Sequence, residues 1–195
     1  MYLIRSETPR DFTGVEMLLD LCFGPSRFAK TCQRLRDGRV PANGLAFLLR
    51  QSGQTIATVR LWTVLLGSAG EGLMLGPLAV HPDYRELGLG ARLMRHALNQ
   101  AGAHGQKAVI LVGDPEYYER FGFSRALTRG LALPGPVEDR RFLGVELQPG
   151  ALDGATGMVR APEAVESDLL CAADSRAFGS APHFAWAPPL AASAA

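Results

Sequence analysis

The hydrophobic and polar positions along the chain change their period several times, and each period predicts a different element. The opening residues YLIR predict a short first strand. Apolar residues then recur at helical spacing and predict an amphipathic helix, at Phe12, Val15, Leu18, Leu19 and Cys22. A second helix is predicted over about residues 27–36, with Asp37-Gly38 to end it.

The pattern then becomes strand-like. Three runs rich in β-branched and aliphatic residues follow one another, GLAFLLR, QTIATVRLWTVLL and GLMLGPLAV. The turn-forming sequences QSGQ and GSAGEG separate them. Because such short connections join antiparallel neighbours, the three runs are predicted to be consecutive strands of one sheet.

The second half of the chain alternates between helix and strand. One helix face is predicted by apolar residues in steps of four, Leu89, Leu93, Ala97 and Ala101. KAVILVG is a nearly continuous apolar run, typical of a strand that is buried on both sides. In DPEYYERFGF, Asp114 can cap a short helix that Gly122 ends. RRFLGVELQP predicts a last strand.

These elements predict a mixed α/β domain over residues 1–149, in which the N-terminal strands are mostly antiparallel. From residue 150 to residue 195 the chain is rich in Ala, Gly and Pro and is predicted to form a C-terminal extension. Phe184 and Trp186 in this extension are candidates to dock either on the domain itself or on a partner such as a neighbouring subunit. The sequence leaves a homodimer open without requiring one.

Composition narrows the class of protein. The 195 residues carry a formal net charge of +1, so no overall field favours nucleic acid or a membrane surface as a partner. The local basic sequences RLRDGR and EDRR are interpreted as solvated faces. No apolar run approaches the roughly 20 residues needed to cross a bilayer, and the N-terminus lacks a signal-peptide pattern.

Cysteine and histidine usage points to the same class. Cys22, Cys32 and Cys171 form no CxxC pair, which argues against a disulfide framework or a zinc site. The four histidines are scattered and predict no metal site. These features predict a soluble, cytoplasmic protein without a bound metal.

The sequence LAVHPDYRELGLGARLM carries the clearest chemistry. A strand that ends in a tight turn before a helix leaves several backbone N–H groups unpaired at the helix start. Together with the helix dipole, these groups make a site for a phosphate or pyrophosphate. Gly88 and Gly90 would let an anion approach the main chain, and Arg85 would supply a fixed positive charge. The alternative is a plain strand-to-helix turn that needs glycine.

Two common nucleotide-binding motifs do not fit this loop. GLGARL has leucine where GxGxxG needs its third glycine, and the loop follows several strands instead of opening a first βαβ unit. A P-loop needs Gly-Lys-Ser or Gly-Lys-Thr, and neither occurs anywhere in the chain. Neither motif is present.

The loop resembles the cofactor-binding motif of the GNAT superfamily of N-acetyltransferases, (R/Q)xxGx(G/A) after a strand of the type LxV. Arg85, Gly88 and Gly90 stand at its three defining positions. About thirty residues later, YYERFGF resembles the FYExxGF segment of the same superfamily, and the strand KAVILV stands between the two motifs as it does in the family. The resemblance covers about residues 75–123 and implies a GNAT-like fold with splayed central strands and helices on both faces of the sheet.

This resemblance implies that an acetyl group passes from acetyl-CoA to an amine by direct attack in a ternary complex. Main-chain groups of Leu78, Ala79 and Val80 would bind the pantetheine arm, and an N–H near Val80 would polarise the thioester carbonyl. The loop would hold the CoA pyrophosphate, and its candidate residues are Arg85, Glu86, Leu87, Gly88, Leu89, Gly90 and Ala91.

Tyr118 aligns with the tyrosine that commonly serves this family as general acid. An ordinary tyrosine has a pKa of about 10 and is protonated at neutral pH. Tyr117 aligns with an aromatic packing position. The general base stays open among Glu71, His81 and a water molecule, because LMLGP has no carboxylate where many relatives have glutamate. His81, which precedes Pro82, is also interpreted as a turn cap.

The acceptor is open among a small-molecule amine, a peptide N-terminus and a lysine side chain. The resemblance implies that the helices predicted over residues 12–36 and the strand after Phe123 shape the acceptor pocket. Two other functions are alternatives. One is a non-catalytic acyl-CoA-binding sensor or partner subunit, and the weaker one is a general nucleotide-binding module.

Overall fold

The predicted mixed α/β fold is confirmed by a computed structural model, which describes residues 2–163. In this part of the chain eight strands form one mixed sheet: β1 (Ile4–Ser6), β2 (Ala46–Gln51), β3 (Gln54–Leu66), β4 (Glu71–Val80), β5 (Ala108–Val112), β6 (Gly130–Ala132), β7 (Phe142–Glu146) and β8 (Thr156–Arg160). The α-helices within residues 2–163 are α1 (Phe12–Phe23), α2 (Leu89–Ala103) and α3 (Pro115–Tyr118). The main strand order is β1-β2-β3-β4-β5-β7, and β8 pairs with both β3 and β6.

The side chains of β2 divide the core between the two faces of the sheet. Leu49 packs in a cluster with Leu93 of α2, whereas Leu48 packs with Leu19 of α1. Because successive side chains of a strand point to opposite faces, the two long helices cover opposite faces of the sheet. Among residues 2–163, every helix is too short or too polar to span a membrane.

The strand pairing follows the prediction from the sequence for the central part of the chain. β2, β3 and β4 pair as antiparallel neighbours. β5 lies between β4, which runs parallel to it, and β7, which runs antiparallel. Val109 and Ile110 of β5 are fully buried, as the apolar run KAVILV predicts for a strand covered on both faces.

β4 and β5 separate after a short paired stretch. Their only paired residues are Leu73 with Val109 and Met74 with Ile110, although β4 continues to Val80. In the pairing of β3 with β4, Gly76 and Pro77 together stand opposite the single residue Arg60, which makes a β-bulge. The splayed central strands implied by the family resemblance are therefore present, and the bulge lies where the strands part.

The helix predicted over residues 27–36 is wrong. The chain forms two 3-10 helices there, Pro25–Ala29 and Thr31–Leu35, with Lys30 extended between them at φ −69° and ψ 142°. The second one is held by a distant loop, since Thr31 Oγ1 donates to the carbonyl of Pro136 at 2.5 Å. Arg34 likewise donates to the carbonyl of Pro134 at 2.7 Å. These tertiary contacts override the local helical pattern.

β8 lies beyond residue 149, where the sequence places the end of the domain. It pairs with the end of β3 through Val159 opposite Leu66 and Arg160 opposite Leu65. Val159 is fully buried. The sheet therefore includes part of the predicted extension, whereas Cys171, Phe184 and Trp186 lie outside the described residues.

The contribution of β8 to stability can be measured with two alanine substitutions. We expect Val159→Ala to lower the free energy of unfolding by about 2 kcal/mol, because it leaves a cavity in a closed core. Met158→Ala is the control, since Met158 is 40% exposed on the same strand, and its effect should stay within about 0.5 kcal/mol. Urea unfolding curves give both values. Equal small effects would contradict a structural role for β8.

Candidate functional site

Within residues 2–163, one edge of β4 has no strand partner beyond Met74. The N–H of His81 donates to the carbonyl of Ile56 at 2.8 Å, on the β3 side. Backbone groups of successive residues in an antiparallel strand point to opposite edges. Leu78 and Val80 therefore direct their N–H and C=O groups towards the open edge. An extended chain can bind such an edge as an additional strand.

The turn after β4 is fixed by a side-chain cap. Nδ1 of His81 accepts the backbone N–H of Asp83 at 3.3 Å, at the start of the 3-10 helix Pro82–Leu87. The His81 ring also packs edge-on against Tyr84, with 5.6 Å between ring centroids. The predicted capping role of His81 is confirmed. With Nδ1 occupied in this way, only Nε2 would be left for a base.

Gly88 and Gly90 have different surroundings. Gly88 precedes α2 in the left-handed conformation at φ 67°, and a Cβ at this position would meet no atom of the described residues within 4 Å. A Cβ at Gly90 would lie 2.9 Å from Oη of Tyr117 and 3.4 Å from Cγ2 of Val80. Gly88 therefore leaves open space at the start of α2, where the first N–H groups have no helical partner. Gly90 is needed for close packing.

The contacts of Gly90 also show which parts of the site are neighbours. Val80 at the end of β4 and Tyr117 in α3 both pack against the first turn of α2 at this glycine. The rings of Tyr117 and Tyr118 pack edge-on, 4.9 Å apart. The open edge of β4, the start of α2 and the tyrosine pair thus lie together, although 38 residues separate Val80 from Tyr118 in the sequence.

Arg85 and Glu86 are both exposed in the segment between β4 and α2. Arg85 lies close to Cys22 at the end of α1, whose Sγ donates to the carbonyl of Val80 at 3.3 Å. Burial raises the pKa of the Cys22 thiol, and the positive charge of Arg85 opposes this shift. The Arg85 charge is thus held near the end of β4.

Tyr118 is packed tightly against the end of β5. A Cβ at Gly113 would lie only 2.1 Å from Cε2 of Tyr118, so the ring covers the glycine backbone. The ring also packs edge-on against Phe123, with 6.0 Å between centroids. Any larger residue at position 113 would displace the ring. The orientation of Tyr118 is therefore fixed by the absence of a side chain at Gly113.

The surroundings of Tyr118 favour its protonated form. Burial raises its pKa to about 12, the neighbouring Tyr117 and Asp114 add to the shift, and Arg141 opposes it. Within residues 2–163 the Tyr118 hydroxyl forms no hydrogen bond. It is therefore a protonated and unengaged donor at neutral pH.

Tyr117 has a packing role, as the family alignment implies. Its hydroxyl meets Gly90, and the guanidinium of Arg120 lies 4.1 Å from its ring centroid. The predicted side-chain cap by Asp114 is wrong. Asp114 occupies the N-cap position of α3 but makes no capping hydrogen bond, and its Oδ1 lies 3.2 Å from NH2 of Arg141. The ion pair replaces the cap.

Of the candidate bases, Glu71 is poorly placed. Glu71 is the first residue of β4, so by strand rise it lies roughly 30 Å from Val80. Two carboxylates that the sequence did not single out lie nearer the bulge. Arg60 binds Glu7 at 2.6 Å and Glu16 at 2.8 Å. Glu7 follows β1 and Glu16 lies in α1. Both are far from Arg60 in the sequence, and no local motif connects them with it.

The interpretation of RLRDGR as a solvated face is wrong for Arg36. Its Nε is buried and has no hydrogen-bond partner in the described part of the chain. Arg34, two residues earlier, is exposed as predicted. An alternation of charge and leucine does not reveal that the Arg36 side chain reaches Gly76 of β4, so no sequence signal identifies it.

Comparison with known proteins agrees with this geometry. A family model described as an acetyltransferase (GNAT) domain matches residues 42–125. The uncharacterized N-acetyltransferase YhbS of Escherichia coli K12 is 34% identical over 158 residues, which cover 80% of this chain and 94% of that protein. The chain belongs to the GNAT family of N-acetyltransferases.

Solved GNAT structures extend the comparison. The crystal structure of Escherichia coli YhbS in complex with CoA superposes with a TM-score of 0.70 at 33% identity, covering 83% of this chain and 90% of that one. A Brucella melitensis GNAT acetyltransferase in complex with acetyl-CoA has a TM-score of 0.63 at 24% identity, covering 84% and 97%. The second likeness concerns the fold alone. No cluster of three or more His, Cys, Asp or Glu residues suited to a metal ion occurs within residues 2–163.

Proposed function

We propose that this GNAT protein transfers the acetyl group of acetyl-CoA to a primary amine by direct attack in a ternary complex. The observation that carries the proposal is the open edge of β4, because it lies beside both the start of α2 and the tyrosine pair. One continuous substrate could contact all three. The relative YhbS, crystallised with CoA, supports the choice of acyl donor.

The open edge and the loop are suited to different parts of acetyl-CoA. Backbone groups of Leu78 and Val80 would bind the amides of the pantetheine arm as a strand does. Those of Ala79, which the sequence also predicted to bind it, point to β3 instead. The unpaired N–H groups at the start of α2 and the charge of Arg85 would bind the pyrophosphate, because Gly88 leaves that space free. The exposed Glu86 can point to solvent, away from the phosphates. Together, these backbone N–H groups and the Arg85 guanidinium fit acetyl-CoA, which carries both a pyrophosphate and a thioester.

The proposed chemistry is a single acyl transfer. The amine nitrogen forms a bond to the thioester carbonyl carbon, the carbon–sulfur bond breaks, and the sulfur leaves as thiolate. Tyr118 Oη donates a proton to that sulfur, and an N–H near Val80 stabilises the charge on the carbonyl oxygen. We assign the amine proton to a water molecule, because Glu71 is remote. Nε2 of His81 is the alternative base, since the turn cap occupies only Nδ1 of that ring.

Calorimetric titration of the purified protein tests the proposal, with acetyl-CoA, CoA, ATP and NAD as ligands. We expect acetyl-CoA and CoA to bind, and ATP and NAD to bind at least about tenfold more weakly, because they lack a pantetheine arm for β4. An acceptor screen that follows CoA release then tests transfer. Binding without transfer to any amine would favour the acyl-CoA sensor. A folded protein that does not bind acetyl-CoA would overturn the proposal.

A further inference from the structure

An arginine whose Nε is buried lies against β4 at the point where β4 and β5 separate. Arg36 comes from the connection between α1 and β2, and its NH2 would lie 3.1 Å from a Cβ at Gly76. Gly76 is two residues beyond Met74, the last residue of β4 that pairs with β5. The absence of a side chain at Gly76 lets the guanidinium reach the strand.

No anion in the described part of the chain balances Arg36. Across residues 2–163 its side chain forms no hydrogen bond or ion pair, and its Nε is buried. The groups that act on it electrostatically are Cys32 and Arg60. Burial raises the pKa of the Cys32 thiol, so this group is neutral at pH 7. Arg60 is itself positive.

The nearby carboxylates and the nearby carbonyl are already engaged. Arg60 donates hydrogen bonds to the Glu7 carboxylate through Nε and NH2, and to the Glu16 carboxylate through NH1. Arg27 shares Glu16 at 2.7 Å. The carbonyl of Gly76 accepts a hydrogen bond from Nε1–H of Trp62, at 2.6 Å. Arg36 therefore has no evident structural partner at the bulge.

A guanidinium in this position keeps its charge. Burial and the neighbouring Arg60 lower the pKa of Arg36, but an arginine pKa starts so far above 7 that the group stays protonated. Burying a cation without a partner is unfavourable. An anionic group that enters from outside would remove this penalty.

We propose that Arg36 binds a carboxylate of the acceptor, so that the preferred acceptors are amines that also carry a carboxylate group. The proposal rests on the proposed function, because it takes the separation of β4 and β5 as the place of the thioester. The planar guanidinium can offer two parallel N–H groups to a carboxylate. Arg36 determines specificity in this scheme, and no bond or proton changes at it.

Matched pairs of acceptors test the inference. The probes are alanine, β-alanine, 4-aminobutyrate and 5-aminopentanoate, each compared with its carboxamide at saturating acetyl-CoA. We expect at least one carboxylate to exceed its carboxamide in kcat/KM by at least about tenfold in the wild type. Arg36→Gln should lower kcat/KM for that carboxylate about 10- to 100-fold, mainly through KM, and leave the carboxamide unchanged.

Two further variants complete the design. Arg36→Lys keeps the charge but loses the planar fork, so an intermediate preference is expected. Arg36→Lys also replaces Arg36→Gln in the experiment if thermal melting shows that Arg36→Gln does not fold. Arg10→Gln removes an exposed arginine near the N-terminus and should leave the carboxylate preference unchanged. The amines of an acid and its amide have different pKa values. Because this difference is the same for every variant, it cancels when the ratio of kcat/KM for the carboxylate to kcat/KM for the carboxamide is compared between proteins.

The outcomes separate this inference from the proposed function. Transfer to amines without a carboxylate preference, or with a preference that Arg36→Gln leaves intact, overturns the inference and keeps the function. If no amine is acetylated although acetyl-CoA binds, amine acetylation is not the function. Calorimetric titration of the same acceptor pairs into CoA-saturated protein then tests whether Arg36 binds the carboxylate. Equal binding of carboxylate and carboxamide overturns the role of Arg36.

Discussion

Replacing Tyr118 by phenylalanine is expected to lower kcat of acetyl transfer by about 100- to 1,000-fold. The substitution removes only the hydroxyl, and the ring keeps its place against Gly113. The departing thiolate then receives no proton from the protein. Acetyl-CoA affinity should stay within about twofold, because the lost group acts on the leaving sulfur. CoA release at saturating substrates gives kcat, and calorimetry gives the affinity.

Tyr117→Phe is the matched control for this change. It removes a hydroxyl from the adjacent ring, which packs on Gly90, and should alter kcat by less than about threefold. The pH profile supplies a second check. Since the pKa of Tyr118 is raised to about 12, its proton is present at neutral pH and is lost only as the pH rises through that value. A loss of kcat below pH 10 that depends on Tyr118 would contradict the assignment, as would an unimpaired Tyr118→Phe.

Gly88→Glu is expected to weaken acetyl-CoA binding by at least about 100-fold. The position has open space, so the side chain fits without a clash, although its left-handed φ of 67° costs a non-glycine residue about 1 kcal/mol. The new carboxylate would stand at the N-terminus of α2. It would accept the free N–H groups there and repel phosphates. Calorimetry measures the affinity, and thermal melting confirms that the variant folds.

Two controls separate charge, strain and position in this experiment. Gly105→Glu introduces the same charge just after the other end of α2, at φ 76° and also with nothing within 4 Å, and should change affinity by less than about twofold. Gly88→Ala introduces the strain without the charge and should cost less than about fivefold. Normal acetyl-CoA binding by Gly88→Glu would show that the pyrophosphate lies elsewhere.

The elements predicted correctly from the sequence are those whose pattern reflects burial against the sheet. The apolar positions of α2 recur in steps of four because one face packs on β2, β3 and β4. The run AVILV is apolar throughout because β5 is covered on both sides. Turn residues between β2, β3 and β4 then limit these strands to antiparallel neighbours. Local pattern and final packing agree in these elements.

The elements and residues that were missed depend on distant contacts. The segment over residues 25–37 is shaped by hydrogen bonds to Pro134 and Pro136, about a hundred residues away. β6 and β8 are short strands that pair with each other. Arg36 resembles any surface arginine in the sequence. Its burial follows from the shape of that segment, so it cannot be predicted before the segment is placed.

The attachment of the segment over residues 25–37 has a consequence for how members of this family can diverge. Leu35 is the only residue of its two 3-10 helices that is buried. One buried leucine, two side-chain hydrogen bonds to the loop and the ion pairs of Arg27 with α1 therefore fix this segment beside the bulge. Its sequence can drift, or be redesigned, with little cost to the sheet beneath. With the role proposed for Arg36, selectivity and foldability would be encoded in largely separate sets of residues.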